Sequence, residues 1–101
     1  MLTSKERAFL RSLAQKIEPI TQVGKLGVND ALIEGLDKAI EKRELIKLTA
    51  LETSPESSRE AADKISEAVG ADVVQVIGRK FVLYRKSKEN QKIFLKTKTK
   101  K

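Results

Sequence analysis

The chain has 101 residues, which is enough for one domain with a single hydrophobic core. It contains neither cysteine nor histidine, so disulfides, thiol chemistry, cysteine-held metals and the most common general base are excluded. No apolar run approaches the roughly 18 residues of a membrane span, and the N-terminus carries charge where a signal peptide would be apolar. We therefore expect a soluble, cytoplasmic, monomeric protein that uses no cofactor, metal, membrane or small-molecule substrate.

The net charge of +7 favours a polyanionic partner, and this charge is unevenly distributed along the chain. Residues 86–101 hold seven lysines and one glutamate, so we expect a disordered, lysine-rich tail that follows a folded domain of residues 1–85. Within that domain, residues 1–28 and 73–85 each carry a net charge of +3, whereas residues 29–72 carry −5. If the two basic segments meet in space, they form one positive face.

The first predicted element is a helix from about Ser4 to Ile17, which a capping box of Thr3 and Glu6 begins and Pro19 ends. Its apolar stripe follows helical spacing and consists of Phe9, Leu10, Leu13, Ala14 and Ile17. Several basic side chains lie off this stripe, where they either form a solvated helix face or contact an anion. These basic residues are Lys5, Arg7, Arg11 and Lys16.

A short strand, Ile20 to Val23, leads into the glycine loop, which has the sequence Gly24-Lys25-Leu26-Gly27. Two glycines three residues apart allow positive φ angles and a close approach of the backbone to a ligand. Asn29 is placed to cap a helix predicted from about Asp30 to Arg43. Backbone N–H groups of the loop and helix start, with Lys25 between the glycines, are suited to a phosphate. A tight turn between strand and helix is the plainer interpretation of the same pattern.

The remaining elements follow from alternation, caps and turn residues. Residues 44–51 alternate apolar and polar side chains, which predicts a strand buried mainly on one side. Ser54-Pro55-Glu56 predicts the start of a third helix, which Gly70 ends. The strands at residues 73–77 and 81–84 flank a hairpin turn that carries Arg79 and Lys80 at its tip. Both strands are apolar at almost every position, so both faces of the sheet should be covered, one of them by the first helix.

The element order α-β-α-β-α-β-β predicts an α+β fold, an α/β sandwich with three helices and a four-stranded mixed sheet. The helical crossovers favour parallel pairing of the first three strands, and the final hairpin is antiparallel. Four aromatic residues are present, of which we expect all but the last to be at least partly buried: Phe9, Phe81, Tyr84 and Phe94. Such a chain lacks a stacking platform, so recognition of a nucleic acid would depend on backbone and shape more than on bases.

Three stretches, residues 22–28, 44–48 and 78–85, resemble the signature blocks of the CRM domain (chloroplast RNA splicing and ribosome maturation), in order and at the right spacing. A single short copy is similar to the bacterial YhbY family, and the match spans about residues 3–85. The resemblance implies an RNA-binding domain related in fold to the C-terminal domain of bacterial initiation factor three, with a G-x-x-G loop comparable to that of KH domains. It also implies association with precursors of the large ribosomal subunit. The expected RNA-binding residues are Gly24, Lys25, Leu26, Gly27, Lys5, Arg7, Arg11, Lys16, Arg79, Lys80 and Arg85.

Two other classes of function are compatible with parts of the sequence. A protein-interaction module could use the acidic surface of the second and third helices. A small enzyme would need a Ser-Lys or carboxylate mechanism, and no paired constellation of such residues is visible. We therefore expect a binding protein without catalytic activity.

Overall fold

The computed structural model of the protein describes residues 2–89 and 91–93. The predicted order of elements and the α+β fold class are confirmed. No helix among these residues is both long enough and apolar enough to cross a lipid bilayer. The elements are α1 (Ser4–Ala14), β1 (Thr21–Val23), α2 (Asp30–Arg43), β2 (Leu45–Ala50), α3 (Ser58–Val69), β3 (Asp72–Ile77) and β4 (Lys80–Tyr84).

The four strands form one mixed sheet in the order β1-β2-β4-β3. β1 pairs with β2 in parallel, and β4 is antiparallel to both of its neighbours, β2 and β3. The prediction that β2 and β3 form a parallel pair is wrong, because β4 lies between them, although the two strands run in the same direction. Phe81 to Tyr84 are all buried, and a strand that is apolar on both faces is stabilised most at the centre of a sheet.

Helices cover both faces of the sheet, as predicted. One face packs against α2 and α3, and its core contains Leu36, Ile40, Ile65, Ile46, Leu48, Phe81 and Leu83. The opposite face packs against α1, and this smaller core contains Leu10, Ala14, Leu45, Val74, Val82 and Tyr84. Alternate residues of β2 and β4 therefore belong to different cores, as the period of two in a strand requires.

α1 begins at the predicted capping box but ends earlier than predicted. Thr3 accepts a hydrogen bond from the Glu6 N–H, and the Glu6 carboxylate accepts one from the Thr3 N–H. After Ala14 the chain makes i to i+3 bonds, so the last predicted turn, as far as Ile17, is a tightened turn outside the α-helix. Pro19 follows closely and disfavours continued helical geometry in the residue before it.

α3 begins at Ser58, not at Pro55 as predicted. Ser57 is the N-cap, and its hydroxyl and backbone N–H exchange hydrogen bonds with Glu60 in a second capping box. The Ser54 hydroxyl instead stabilises a local turn by bonding both backbone groups of Glu56. The capping box outcompetes the proline signal because it satisfies two otherwise unpaired N–H groups at the helix start.

The chain beyond β4 returns to the domain, whereas we predicted disorder from Lys86 onward. We call residues 86–89 and 91–93 the C-terminal strap. The buried Glu44 carboxylate accepts hydrogen bonds from the N–H groups of Ser87, Lys92 and Ile93, each at 2.6 Å. Ile93 also packs against the core beneath α1. The ordered chain therefore extends past the predicted boundary at residue 85, and the rest of the predicted tail, residues 94–101, lies outside the described residues.

Candidate nucleic-acid interface

Three connections meet at one end of the sheet, which we call the loop end. β1 and β2 end side by side, with Val23 opposite Ala50. The Ala50 N–H donates to the carbonyl oxygen of Arg79 at 2.7 Å, which places the tip of the β3–β4 hairpin beside them. The loop end therefore contains the glycine loop, the β2–α3 connection (residues 51–57) and the hairpin tip.

The glycine loop is a closed four-residue turn that presents its middle residues to solvent. The Gly27 N–H donates to the Gly24 carbonyl at 2.9 Å. Lys25 and Leu26 form the tip, and Leu26 is 82 % exposed. Their two backbone N–H groups have no hydrogen-bond partner among the described residues. Behind the turn, the Asn29 side chain caps α2 by accepting from the Leu32 N–H at 2.8 Å, as predicted.

The two glycines of the loop have different structural roles. Gly27 has a φ angle of +70°, and a Cβ atom there would lie 2.7 Å from Glu56 Oε1 and 2.8 Å from Pro55 Cγ. A Cβ atom on Gly24 would make only an ordinary contact, 3.7 Å from Leu51 Cδ1, and its φ angle is not positive. The prediction of a positive φ is therefore confirmed at Gly27 and wrong at Gly24. The close approach at Gly27 is to the β2–α3 connection of the same chain.

Glu56 holds the segment between the glycine loop and α2. Its Oε1 accepts from the Val28 N–H at 3.1 Å, and its Oε2 is 2.8 Å from the Lys64 ammonium. The hydrogen bond from Lys64 is the main reason that the pKa of Glu56 lies below its usual value, and the same bond raises the pKa of Lys64. The Val28 N–H is thus occupied, so this one amide is not available to a phosphate. Sequence reasoning missed Glu56, because it lies 28 residues beyond the amide that it binds.

Three of the predicted basic residues lie at the loop end. The ammonium groups of Lys25 and Lys80 form neither a hydrogen bond nor an ion pair with any residue in the described part of the chain. Arg79 pairs with Glu52 at 3.0 Å, and both side chains are well exposed, so this ion pair is weak. The loop end therefore combines two uncompensated positive charges with the two free N–H groups of the turn.

Arg85 was predicted to belong to the RNA-binding face, but it lies at the opposite end of the sheet. Its guanidinium binds Asp37 at 2.6 Å, Glu41 at 3.2 Å and the carbonyl oxygen of Val69 at 2.7 Å. Two carboxylates balance its charge, and only 16 % of its side chain is exposed. Arg85 joins α2 and α3 to the end of β4, so we remove it from the candidate interface.

The basic residues of the first helix do not form one surface. At 3.6 residues per turn, Arg7 and Arg11 flank one side of the buried stripe of α1, and Lys5 flanks the other. Lys16 lies in the turn that follows the helix. No hydrogen bond or ion pair within the described residues joins any of these four side chains to the glycine loop. That these residues share one positive face with the loop end stays a prediction.

The three aromatic residues that the structure describes are at least partly buried, as predicted. Phe81 and Tyr84 are buried, and burial raises the pKa of the Tyr84 hydroxyl. Phe9 is 41 % exposed on α1, so it is partly buried, as predicted. Phe94 lies outside the described residues. Within those residues no group of three or more carboxylates is placed to hold a metal ion.

Comparisons with known proteins agree with the fold and with the resemblance in the sequence. The chain is 45 % identical over 95 residues to a Bacillus subtilis protein named Probable RNA-binding protein YqeI, covering 94 % of this chain and 99 % of that protein. It is 31 % identical over 88 residues to a Haemophilus influenzae protein named RNA-binding protein, covering 87 % and 89 % of the two chains.

A solved structure and a family model extend this agreement. The solution structure of the hypothetical protein SAV1595 from Staphylococcus aureus superposes with a TM-score of 0.79 at 47 % identity, covering 95 % of this chain and all of that chain. The model of the CRS1 / YhbY (CRM) domain matches residues 2–85, which include the glycine loop, both capping boxes and all four strands. The chain therefore belongs to the CRS1/YhbY (CRM) domain family.

Proposed function

We propose that this protein binds RNA through its loop end and that its physiological partner is ribosomal RNA in precursors of the large ribosomal subunit. The observation that carries the proposal is the exposed tip of the glycine loop, with two free N–H groups and an unpaired Lys25 in front of the start of α2. The names of the relatives support RNA as the partner. The choice of ribosomal RNA rests on the family resemblance of the sequence.

The arrangement suits recognition of a phosphate backbone more than recognition of bases. Backbone N–H groups and a helix N-terminus favour an anion, and Lys25 and Lys80 add a charge term that is independent of sequence. The two buried aromatic residues, Phe81 and Tyr84, are unavailable for stacking. Binding should therefore weaken steeply with salt and gain specificity from the shape of a folded RNA. We also propose that the protein acts in the cytoplasm as a monomer.

The first test is to reverse the charge at the loop tip. Lys25→Glu changes an exposed side chain without touching the contact between Gly27 and Glu56, so the fold should be retained. Lys38→Glu is the matched control, because it makes the same charge change on an exposed face of α2. We expect the loop variant to bind a ribosomal RNA fragment about tenfold more weakly than the control, because it loses an attraction and gains a repulsion at one phosphate. Equal affinities of the two variants would remove the loop from the interface.

The second test addresses the ribosomal partner. In a sucrose gradient of a cell lysate at low salt, the protein should sediment with precursors of the large subunit and be depleted from mature subunits and translating ribosomes. Raising the salt should release it, because the contact is mainly electrostatic. Sedimentation only in ribosome-free fractions, or evenly across mature ribosomes, would contradict the ribosomal proposal.

The acidic surface of α2 and α3 gives less support to a protein-interaction module. Several of its carboxylates are paired with cations of the same helix, including Glu34 with Lys38 and Asp63 with Arg59. Asp37 and Glu41 of α2 bind Arg85. Many carboxylates of this surface therefore already have a cationic partner, so we do not argue for this alternative.

A further inference from the structure

α1 covers only one half of its face of the sheet. Its core reaches Leu45, Val82 and Tyr84, which lie away from the loop end or at mid-strand. Nearer the loop end, the same face carries a line of side chains that crosses all four strands, which we call the open row. Register pairs Gln22 with Thr49, Thr49 with Lys80, and Lys80 with Ile77.

Alternation places the open row on the side of α1. Val23 and Ala50 belong to the opposite core, so their strand neighbours Gln22 and Thr49 project from the α1 face. Lys80 precedes Phe81 of the opposite core, and Ile77 lies across from Lys80. The open row is therefore one continuous surface.

The side chains of the open row are available for a partner. Gln22 and Lys80 are exposed, Thr49 is half-buried and Ile77 is 62 % exposed. In the part of the chain that the structure describes, the three polar side chains make no hydrogen bond or ion pair. The neighbouring line on the same face adds Lys47, which lies opposite Val82 and is also unpaired within the described residues. This part of the sheet face is therefore uncovered and carries two lysines, Lys47 and Lys80, whose charges are unpaired within the described residues.

We propose that the open row binds a single-stranded segment of RNA that continues from the glycine loop. Gln22 lies two residues before Gly24, so a strand held at the loop tip can pass directly onto the sheet. Lys80 and Lys47 neutralise phosphates, Gln22 and Thr49 form hydrogen bonds with sugars or base edges, and Ile77 packs against the face of a base. This proposal rests on the proposed RNA binding and adds the form of RNA that the site accepts.

The shape of the surface selects one strand over a duplex. α1 has a diameter of about 10 Å and packs on the sheet beside the open row, so the helix forms a wall along one side of the row. The row itself spans about 14 Å, given that neighbouring strands are about 4.8 Å apart. A single chain can lie in this corner with its bases against the sheet. The bases of a duplex are stacked and paired, so they cannot turn toward Ile77 and Gln22.

Charge favours RNA over a protein partner. No acidic residue occupies a register position in the open row or in the neighbouring line that contains Lys47, Val82 and Gln75. A stable protein interface needs a larger apolar centre than one isoleucine provides. The uncompensated lysines instead fit a polyanion.

The test compares two RNAs and a variant that leaves the charge unchanged. Gln22→Ala combined with Ile77→Ala removes two exposed side chains of the row and leaves every lysine in place. Fluorescence anisotropy measures the affinity for a 12-nucleotide uridine single strand and for a blunt duplex of the same length. We expect the affinity for the single strand to fall about three- to tenfold, because one or two net hydrogen bonds or apolar contacts are lost. The affinity for the duplex should change less than twofold. An equal loss for both RNAs, or no loss for either, overturns the proposal.

A photochemical measurement on the wild-type protein provides a second test that does not depend on folding of a variant. Single-stranded RNA containing 4-thiouridine should crosslink to peptides from β3 and β4 (residues 72–84) as well as to the glycine loop. Crosslinks confined to residues 20–28 would overturn the proposal.

The loop variant Lys25→Glu distinguishes this proposal from the proposed function. If Lys25→Glu loses RNA affinity and the variant of the open row does not, the open row is not a binding site and the proposed function remains. If the row variant binds RNA normally and loses a captured protein, the occupant is a protein and the proposal is overturned.

Discussion

At the scale of single residues, the conformation of the glycine loop depends on a contact between two distant parts of the chain. The missing side chain of Gly27 leaves space for Glu56 and Pro55, and the Glu56 carboxylate uses that space to bind the Val28 N–H. Lys64 then holds the other oxygen of the carboxylate. The loop is thus fixed from behind, while its tip at Lys25 and Leu26 stays free for a ligand.

The ion pair behind the loop predicts a specific pH dependence of stability. The folded pKa of Glu56 is below the usual value of 4.5, so its contribution to stability is present above pH 4.5 and is lost as the pH falls through the lowered pKa. Glu56→Gln keeps an oxygen for Val28 but cannot form the ion pair with Lys64. The wild-type protein should therefore have the higher urea midpoint at neutral pH, and this difference should vanish in acid.

Glu67→Gln is the control for this prediction, because Glu67 is exposed on the same helix and has no ion pair within the described residues. Its midpoint should follow that of the wild-type protein at every pH. A difference between wild-type and Glu56→Gln proteins that stays constant from neutral to acidic pH would show that the charge of Glu56 does not hold the loop.

At the scale of elements, the sequence predicted best what depends on neighbours along the chain. α2 occupies the predicted residues, Asp30–Arg43, because its cap and apolar spacing are both local. The order of the strands in the sheet could not be predicted from such local signals. β4 lies between β2 and β3 because this position buries both of its faces, which depends on residues distant in sequence. The structural role of Arg85 was not predicted for a similar reason: its partners, Asp37 and Glu41, lie more than 40 residues away in the sequence.

The C-terminal strap is the element that sequence reasoning missed altogether. Lysine-rich composition predicted disorder, because composition does not report a partner elsewhere in the fold. Glu44 supplies that partner: its positive φ angle of 67° turns the chain between α2 and β2 and leaves its buried carboxylate facing the strap. Glu41 adds hydrogen bonds from the Ser87 hydroxyl and the Lys88 N–H, and the bond from Ser87 is the main reason that the pKa of Glu41 is lowered.

We predict that Glu44→Gln releases the strap and destabilises the domain. The side chain of glutamine has one acceptor oxygen, whereas the carboxylate of glutamate has two. At least one of the three N–H donors of the strap would therefore lose its acceptor in a buried site. The expected loss is about 2 to 4 kcal/mol, given that a hydrogen bond to a charged group contributes about 1.5 to 3 kcal/mol. Urea unfolding measures this loss, and hydrogen exchange at the Lys92 and Ile93 amides should accelerate. Unchanged exchange would mean that the Glu44 charge does not hold the strap.

At the scale of the whole molecule, the strap determines where the last part of the chain begins. Ile93 packs against the core beneath α1, so the described part of the chain ends on the side of the sheet that carries the open row. The eight residues that follow, 94–101, include four lysines, at positions 96, 98, 100 and 101. A chain of eight residues spans at most about 27 Å, which limits the region of RNA that these lysines can contact to the vicinity of the domain.

We predict that these four lysines add affinity for RNA without adding preference among RNAs. Truncation after Ile93 removes them and retains the residues of the strap that bind Glu44. On single strands each phosphate contact contributes about 0.7 to the slope of log K against log salt, so the truncated protein should show a slope shallower by as much as about 3.

Replacing the same four lysines with glutamine is the control for chain length, and this variant should give the same slope as the truncated protein. The ratio of affinities for single-stranded and duplex RNA should stay at the wild-type value in both variants, since lysines neutralise phosphates of either form. An unchanged slope would mean that this segment does not contact RNA, and a changed ratio would mean that it takes part in selecting the RNA, a role that we assign to the open row alone.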